Sequence, residues 1–258
     1  MRLIILAAGQ GSRLKPITDS RPKCLVELCG KSLLEYQLDS ARKVGIDDIV
    51  VVGGYQHQQL RYEGVRLLLN PDYERTNMVY TLFCAEDVFG DEFILSYGDI
   101  AYSKPVFETL LADKSDIGVV VDRQWREYWS LRFDDILSDA ESLKINNEGN
   151  IVNIGEKVTS IDSIEAQYIG LMAFRGDGIK ALRDTYFLAK SGKLKDRLLY
   201  KSIKDFNNMY MTDLLQGIID SGFPVKAIPV KGQWVEIDTF NDLRIAERIL
   251  SEGRLTLQ

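Results

Sequence analysis

The sequence predicts an α/β fold, in which a Rossmann-like, mixed but mostly parallel sheet is flanked by helices in a single compact domain. Three observations carry this prediction. Buried-strand patterns alternate with helical patterns up to about Val121, and the first strand ends at a glycine-rich loop. The length of 258 residues suits one large domain, and no Pro/Gly/Ser-rich linker, repeat or low-complexity segment divides the chain.

The first part of the chain contains the clearest elements. Apolar runs predict strands at residues 3–8, 48–52, 65–69, 93–96 and 117–121, and helices are predicted at residues 32–44, 76–85 and 104–112. The best-marked helix begins at Ser32, which can form a capping box with Glu35, and ends at Gly45. Strand, helix and strand at this spacing make a βαβ unit, which implies a parallel sheet.

The pattern changes after Val121. Residues 123–135 are rich in Trp, Tyr, Arg and Asp, and a hairpin is predicted over residues 143–154 with its turn at residues 147–150. Further strands are predicted at residues 167–174, 225–229 and 234–237, and helices at residues 177–190, 212–220 and 239–250.

Composition excludes several classes of partner. The net charge of −6 argues against a general nucleic-acid or membrane surface, and no apolar run approaches the ~20 residues that span a bilayer. The first apolar strand runs directly into the glycine loop, and this layout differs from that of a secretory signal peptide. The odd number of cysteines (Cys24, Cys29 and Cys84) has no metal-like spacing, so we expect a reducing, cytoplasmic setting.

The loop after the first strand has the features of a polyphosphate site. Gly9 and Gly11 let the backbone approach a ligand, and backbone N–H groups in such loops line anion sites. The loop carries four cations: Arg13, Lys15, Arg21 and Lys23. A dinucleotide fingerprint is excluded because Leu14 replaces its third glycine, and a Walker A loop is excluded because Leu25 replaces the glycine required before Gly30. The simpler alternative is a strand followed by a basic surface turn.

Residues 6–25 match the pattern LAAGxGxRLxPxTxxxPKxL at every fixed position. This stretch resembles the signature of the nucleotidyltransferase family that makes nucleotide-activated sugars and alcohols. The resemblance implies a nucleotide-diphospho-sugar transferase-like fold and transfer of a nucleotidyl group to a phosphomonoester, with release of pyrophosphate. We expect a nucleotide-binding half at residues 1–121 and an acceptor-binding half at residues 122–258. Because a phosphomonoester is already largely ionised at pH 7, no general base is needed, and His57 is interpreted as a surface loop residue.

Two aspartates stand where the family places its metal ligands. Asp99 and Asp238 each follow a predicted strand, and the carboxyl ends of strands are where open α/β sheets bind ligands. Mg²⁺ prefers such carboxylate oxygens, so the resemblance implies Mg²⁺ as the cofactor. Glu236 is a competing ligand because strand alternation places it on the same face as Asp238. The structural alternatives are a turn residue for Asp99 and a helix N-cap for Asp238.

The resemblance also implies that Arg13 and Lys23 contact phosphate, which completes a predicted catalytic set of Arg13, Lys23, Asp99 and Asp238. The predicted nucleotide-binding residues belong to the loop and to nearby strand ends: Leu6, Ala7, Ala8, Gly9, Gly11, Ser12, Arg13, Lys23, Gly54, Tyr55, Asn77, Tyr97 and Gly98. These residues do not identify the base.

The middle of the chain points to the acceptor. Residues 119–133, 165–171 and 208–212 are similar to cytidylyltransferases of capsular phosphoramidate synthesis, which act on phosphorylated glutamine, and residues 75–82 resemble phosphocholine enzymes. The predicted acceptor-binding residues are Trp125, Arg132, Glu156, Lys157, Glu165, Gln167, Tyr168 and Tyr210. The aromatic rings of this set, together with Trp129, could surround a choline-like cation of the acceptor. Arg132, together with Arg123 and Arg126, would instead suit an acceptor that carries a carboxylate. Glu165 suits an ammonium group, and Glu156–Lys157 resembles a pair in sugar enzymes.

These resemblances imply a Mg²⁺-dependent cytidylyltransferase that joins CTP to a small phosphomonoester, with phosphorylated glutamine first, then phosphocholine or a phosphonate. Its partners are CTP and the acceptor, with no nucleic acid or membrane; a homodimer is left open. A sugar-1-phosphate uridylyl- or thymidylyltransferase is the alternative enzyme. A nucleotide-binding regulatory module without catalysis is the alternative of another class.

Overall fold

Strands and helices alternate along the chain in the computed structural model, which describes residues 1–193 and 205–257. Up to residue 122 the elements are β1 (Arg2–Ala7), β2 (Glu27–Leu28), β3 (Lys31–Ser32), α1 (Leu33–Lys43), β4 (Ile49–Gly53), β5 (Val65–Leu69), α2 (Met78–Phe83), β6 (Glu92–Tyr97), β7 (Ile100–Tyr102), α3 (Lys104–Ala112) and β8 (Ile117–Asp122). The later elements are α4 (Trp125–Arg132), β9 (Glu141–Ile145), β10 (Ile151–Lys157), β11 (Gln167–Arg175), α5 (Gly176–Lys190), α6 (Met211–Asp220), β12 (Lys226–Val230), β13 (Trp234–Glu236) and α7 (Phe240–Ser251).

Seven of these strands form one sheet in the order β12-β8-β11-β6-β1-β4-β5. Strand β1 pairs in parallel with β4 and β6, and the pairs β4–β5 and β8–β12 are also parallel. Strand β11 runs antiparallel between β6 and β8. The predicted fold class is therefore confirmed. The chain leaves β1 toward β4 and β5 and returns on its other side as β6, so the sheet has a topological switch point beside β1, where open α/β sheets bind ligands.

Local signals explain why these elements form where they do. The predicted capping box at the start of α1 is confirmed, because Ser32 Oγ accepts from the Glu35 N–H while the Glu35 carboxylate accepts from the Ser32 N–H. The predicted hairpin forms from β9 and β10, with Gly149 at a left-handed φ of 79° in its turn. Helix α2 begins later than the predicted residue 76 because the Asn77 side chain caps it by accepting from the Met78 N–H.

The sheet has a hydrophobic core on each face. Side chains alternate along β1, so Leu3 and Ile5 pack into one core while Ile4 and Leu6 pack into the other. Burial on both faces is the reason that β1 reads as a continuous apolar run. No helix within residues 1–193 and 205–257 is long and apolar enough to cross a membrane.

Candidate active site

The glycine loop folds back from the end of β1 so that Lys23 packs onto Gly11. Gly11 has a left-handed φ of 66°, and a Cβ atom there would lie 2.9 Å from the Lys23 Cβ. The buried Thr18 hydroxyl donates to the Gly11 carbonyl at 2.8 Å. Gly11 is therefore needed both for the turn and for the position of Lys23.

The ends of β1 and β6 are joined on the other side of this loop. The Gly98 N–H donates to the Leu6 carbonyl at 2.9 Å, and a Cβ atom on Gly98 would lie only 2.5 Å from that oxygen. Several predicted nucleotide-binding residues line one cavity here: Leu6, Ala8, Gly9, Asn77, Tyr97 and Gly98. This juxtaposition creates a concave site at the switch point of the sheet.

The other predicted nucleotide-binding residues hold the walls of this region. Ala7 is buried within β1, and Ser12 begins a short 3-10 turn in the loop. A Cβ atom on Gly54 would lie 2.6 Å from the Tyr73 Cβ. The Tyr55 N–H donates to the Ala8 carbonyl, and its hydroxyl donates to the Asp19 carbonyl at 2.6 Å, so Tyr55 braces the loop.

The four predicted catalytic residues meet beside this cavity. Lys23 Nζ lies 2.6 Å from Asp99 Oδ2 and also contacts Asp238 Oδ1. Arg13 Nη2 lies 3.1 Å from the same Asp238 oxygen. The Ile237 N–H donates to the Asp99 carbonyl at 3.0 Å, which joins the two strand ends that carry the aspartates.

A third carboxylate completes this cluster. One oxygen each of Asp99, Glu236 and Asp238 lies within 4.8 Å of the other two. Asp99 Oδ1 is buried and has no hydrogen-bond partner among the described residues. Such a set of hard oxygen donors, one of them unsatisfied, is able to hold a divalent cation.

The close charges shift the pKa values of these groups. Burial alone would lower the pKa of Lys23, but the carboxylates of Asp99 and Asp238 outweigh it and hold the pKa above its ordinary value. Burial raises the pKa of Glu236 to about 7, although the nearby Arg132 opposes the rise. Burial would also raise the pKa of Asp238, but Lys23 and the two arginines near it hold that pKa below its ordinary value. Lys23 is therefore a fixed positive charge within the site.

Arg132 supports the carboxylates from behind. Its side chain is fully buried, and it lies 2.7 Å from Glu236, 3.5 Å from Asp238 and 2.8 Å from Asp242. Asp242 in turn caps α7 by accepting from the Thr239 N–H at 2.8 Å. The structure thus directs Arg132, predicted to bind the acceptor, toward three carboxylates of its own chain.

A second cavity adjoins the cavity at the switch point of the sheet. The two share Met78 and Tyr97 as lining residues, and Glu236 of the carboxylate cluster also lines the second cavity. Three of the predicted acceptor-binding residues lie here: Gln167, Tyr168 and Tyr210. We refer to this space, of about 180 Å³, as the acceptor pocket.

Other predicted acceptor-binding residues lie elsewhere. Trp125 and Glu165 line a different cavity together with Arg123 and Arg126. Trp125 is also almost completely buried, with 1% of its surface exposed. Sequence similarity grouped these residues with the acceptor site, but the start of α4 and the loop before β11 carry them to another part of the surface.

The predicted Glu156–Lys157 pair lies at the end of the hairpin. Both residues are exposed, and the Glu156 N–H donates to the Ser142 Oγ of the acceptor pocket. Lys157 pairs in register with Glu141 across the hairpin. Neither side chain is among the lining residues of the acceptor pocket.

Sequence reasoning missed Asp139 and Glu141, which line the acceptor pocket. They lie at the start of the hairpin, and Gln167 holds the Glu141 backbone by donating to its carbonyl at 2.6 Å. Burial, Asp213 and Asp139 together raise the pKa of Glu141 to about 7. No local pattern marks either residue, because the pocket forms only when the hairpin packs against β11.

Comparison with known proteins identifies the relatives of this chain. Residues 3–154 match the model of the MobA-like NTP transferase domain. The chain is 39% identical over 256 residues to a CTP:phosphoglutamine cytidylyltransferase of Campylobacter jejuni, an alignment that covers 95% of this chain and 98% of the relative. It is 38% identical over 99 residues to a choline-phosphate cytidylyltransferase of Streptococcus pneumoniae, which covers 37% of this chain and 43% of that protein.

Solved structures share the fold. A CTP:phosphocholine cytidylyltransferase from Streptococcus pneumoniae superposes with a TM-score of 0.75 at 24% identity, covering 96% of this chain and 98% of that one. A putative glucose-1-phosphate thymidylyltransferase from Bacillus anthracis gives a TM-score of 0.70 at 21% identity, covering 96% and 94% respectively. At these identities the likeness concerns the fold alone.

Proposed function

The chain belongs to the MobA-like NTP transferase family, and we propose that it is a Mg²⁺-dependent cytidylyltransferase that joins CTP to a small phosphomonoester and releases pyrophosphate. The enzyme class, nucleotidyltransferase, follows from the family and its relatives. CTP and phosphorylated glutamine are the favoured substrates because the Campylobacter jejuni relative, whose name specifies both, matches along almost the whole chain.

One observation carries the catalytic part of the proposal. Arg13 and Lys23 converge with Asp99 and Asp238 between two adjoining cavities. A nucleotide in one cavity and an acceptor in the other would bring their phosphates together at this cluster. Two anions meet only if positive charge screens them and fixes their geometry, and Arg13 and Lys23, with a metal ion on the two aspartates, would supply that charge.

The residues present fit a magnesium ion. Asp99 and Asp238 would hold it, since both offer hard oxygen ligands and Asp99 has a buried oxygen without a partner among the described residues. When bound, the ion supplies positive charge that stabilises the transferring phosphate. Arg132 keeps Glu236 and Asp238 in place from the buried side.

The chain's own groups then act on the phosphates. Arg13, whose planar fork grips two oxygens, and Lys23, a point charge, bind and orient the triphosphate. An oxygen of the acceptor phosphate attacks the α-phosphorus and forms a new P–O bond. The bond from the α-phosphorus to its bridging oxygen breaks, and pyrophosphate leaves with the electron pair. No proton is removed from the nucleophile, because it is already ionised.

A pyrophosphate-release assay tests this function. CTP, UTP, dTTP, ATP and GTP are each combined with phosphoglutamine, phosphocholine, 2-aminoethylphosphonate, glycerol phosphate and glucose 1-phosphate, with Mg²⁺ or with EDTA. We expect turnover with CTP and one non-sugar acceptor, abolished by EDTA. Turnover restricted to a sugar phosphate with UTP or dTTP would refute the cytidylyltransferase assignment.

We also propose that this reaction takes place in the cytoplasm. Cys24, Cys29 and Cys84 are all free thiols, as expected in a reducing compartment.

A further inference from the structure

The acceptor pocket is negatively charged. Asp139, Glu141 and Glu236 all line it, and its lining within residues 1–193 and 205–257 includes no Lys, Arg or His. Arg132, a buried cation behind it, is already paired with Glu236, Asp238 and Asp242. The described lining therefore suits a cationic group of the acceptor, such as the α-ammonium of phosphorylated glutamine, better than an acceptor whose remote end is purely anionic.

Glu141 is a carboxylate of this pocket without a side-chain partner among the described residues. No ion pair or hydrogen bond to its carboxylate joins it to another described residue, whereas its backbone is fixed by two hydrogen bonds with the Gln167 amide at 3.2 and 2.6 Å. Its location near Asp139 and Asp213, together with burial, raises the pKa of Glu141 to about 7. A cation placed beside Glu141 would relieve this repulsion.

Trp129 lies beside Asp139, a second carboxylate of this pocket. Trp129 is only 4% exposed, and its indole N–H, which can only donate, has no hydrogen bond of normal geometry among the described residues. This N–H lies close to the Asp139 carboxylate at the edge of the pocket. An N–H directed at Asp139 favours the charged form of that carboxylate, which is the form that attracts a cation.

Resting on the proposed function, we propose that the acceptor carries a primary ammonium group at the end remote from its phosphate, and that Glu141 with Asp139 accepts hydrogen bonds from it. A primary ammonium has three N–H donors for these carboxylates. A quaternary ammonium has none, and would leave the carboxylate of Glu141 desolvated without a hydrogen bond. A neutral acceptor would leave it unpaired as well.

Two cations for the phosphate on one side and a carboxylate for the ammonium on the other give the acceptor one orientation. Its phosphate meets Arg13 and Lys23, and its ammonium meets Glu141 in the acceptor pocket. A molecule with the reverse distribution of charge would be repelled at both ends. Glu141 is in this view a specificity-determining residue that takes no part in the chemical step.

Three matched acceptors test the inference with CTP and Mg²⁺. Phosphoethanolamine presents a primary ammonium, propyl phosphate replaces that ammonium with a methyl group of similar size, and phosphocholine presents a quaternary ammonium. We expect kcat/KM for phosphoethanolamine to exceed that for propyl phosphate by about 10–100-fold, the range expected for a hydrogen bond to a charged group. We expect phosphocholine to be poorer than phosphoethanolamine.

Variants then assign the effect to one carboxylate. Glu141→Gln should lose most of the preference for phosphoethanolamine over propyl phosphate, chiefly through a higher KM for phosphoethanolamine, because the ammonium then meets a neutral amide instead of a carboxylate. Glu148→Gln removes a carboxylate from the exposed turn of the same hairpin and should retain the wild-type preference.

Distinct results overturn the inference and the proposed function. Equal or better turnover of propyl phosphate, or a preference for phosphocholine, overturns the primary-ammonium inference while leaving the cytidylyltransferase assignment intact. If no acceptor releases pyrophosphate with any nucleotide, the proposed function fails instead. Calorimetric titration of the wild-type protein with phosphoethanolamine and propyl phosphate, in the presence of CTP and without turnover, still decides whether the ammonium is preferred.

Discussion

Glu141→Gln is expected to make the ligand-free protein more stable, and to do so only above about pH 5. The folded state holds the pKa of Glu141 at about 7, against an ordinary value of 4.5, because of burial and the nearby Asp213 and Asp139. At a pH between these two pKa values, Glu141 has lost its proton in the unfolded chain but retains it in the folded chain. Ionisation therefore costs the folded state stability as the pH rises from about 4.5 through 7, and the full cost is present above pH 7.

The size of the effect follows from the two pKa values. Their difference corresponds to about 3 kcal/mol at 1.36 kcal/mol for each pKa unit. Glu141 keeps some contact with solvent in the pocket, which screens the repulsion, so we expect about 1–2 kcal/mol at pH 8.5. For a chain of this size that raises Tm by roughly 2–8 °C.

Thermal unfolding at pH 5 and pH 8.5, without ligand, measures this difference. Glu141→Gln should unfold at a higher temperature than wild type at pH 8.5, with a much smaller difference at pH 5. Glu148→Gln, at the exposed hairpin turn, should show no such pH dependence. A variant equal to or less stable than wild type at pH 8.5 would refute the view that Glu141 is an unpaired, costly carboxylate in the folded chain.

Three further predictions concern the carboxylate cluster. Asp99→Asn should lower kcat by about 100-fold or more by removing a metal ligand, and wild-type pyrophosphate release would exclude that role. Lys23→Met should slow turnover strongly. It should also tighten Mn²⁺ binding to the nucleotide-free protein by about tenfold, since Asp99 and Asp238 lose a competing cation. A titration followed by Mn²⁺ electron paramagnetic resonance measures this affinity, and an unchanged affinity would contradict the prediction. Arg132→Met should destabilise the fold by about 3–5 kcal/mol, because it leaves Glu236 and its neighbours buried without their cation; an unchanged denaturant midpoint would count against this reasoning.

Much of the fold is predictable because its signals are local. The capping box of Ser32 and Glu35 fixes the start of α1, and the apolar run of β1 reflects burial on both faces of the sheet. The glycine loop is also predictable from the sequence, because Gly11 must adopt a left-handed backbone conformation and leave room for Lys23. Each of these features depends on residues close together in the sequence or on a periodic pattern within one element.

The acceptor side was less predictable because its contacts are long-range. Nothing in the local sequence shows that β11 inserts antiparallel between β6 and β8. An arginine near aromatic residues resembles a ligand-binding group, yet Arg132 pairs with Asp242, which lies 110 positions away. Residue type alone therefore did not distinguish an arginine that meets substrate from one that meets the chain's own carboxylates.

The position of Arg132 also changes what the acceptor pocket can recognise. A free guanidinium in this pocket would favour an acceptor with a carboxylate, whereas a guanidinium held behind Glu236 and Asp242 leaves the pocket to Glu141 and Asp139. The same buried cation that stabilises the carboxylate cluster thus leaves the described pocket lining with only negative formal charges. In this proposal the buried Arg132 side chain both supports the catalytic carboxylates and leaves the pocket open to a cationic acceptor. We therefore expect acceptor preference to change when Glu141 is replaced, rather than when any of the arginines is replaced.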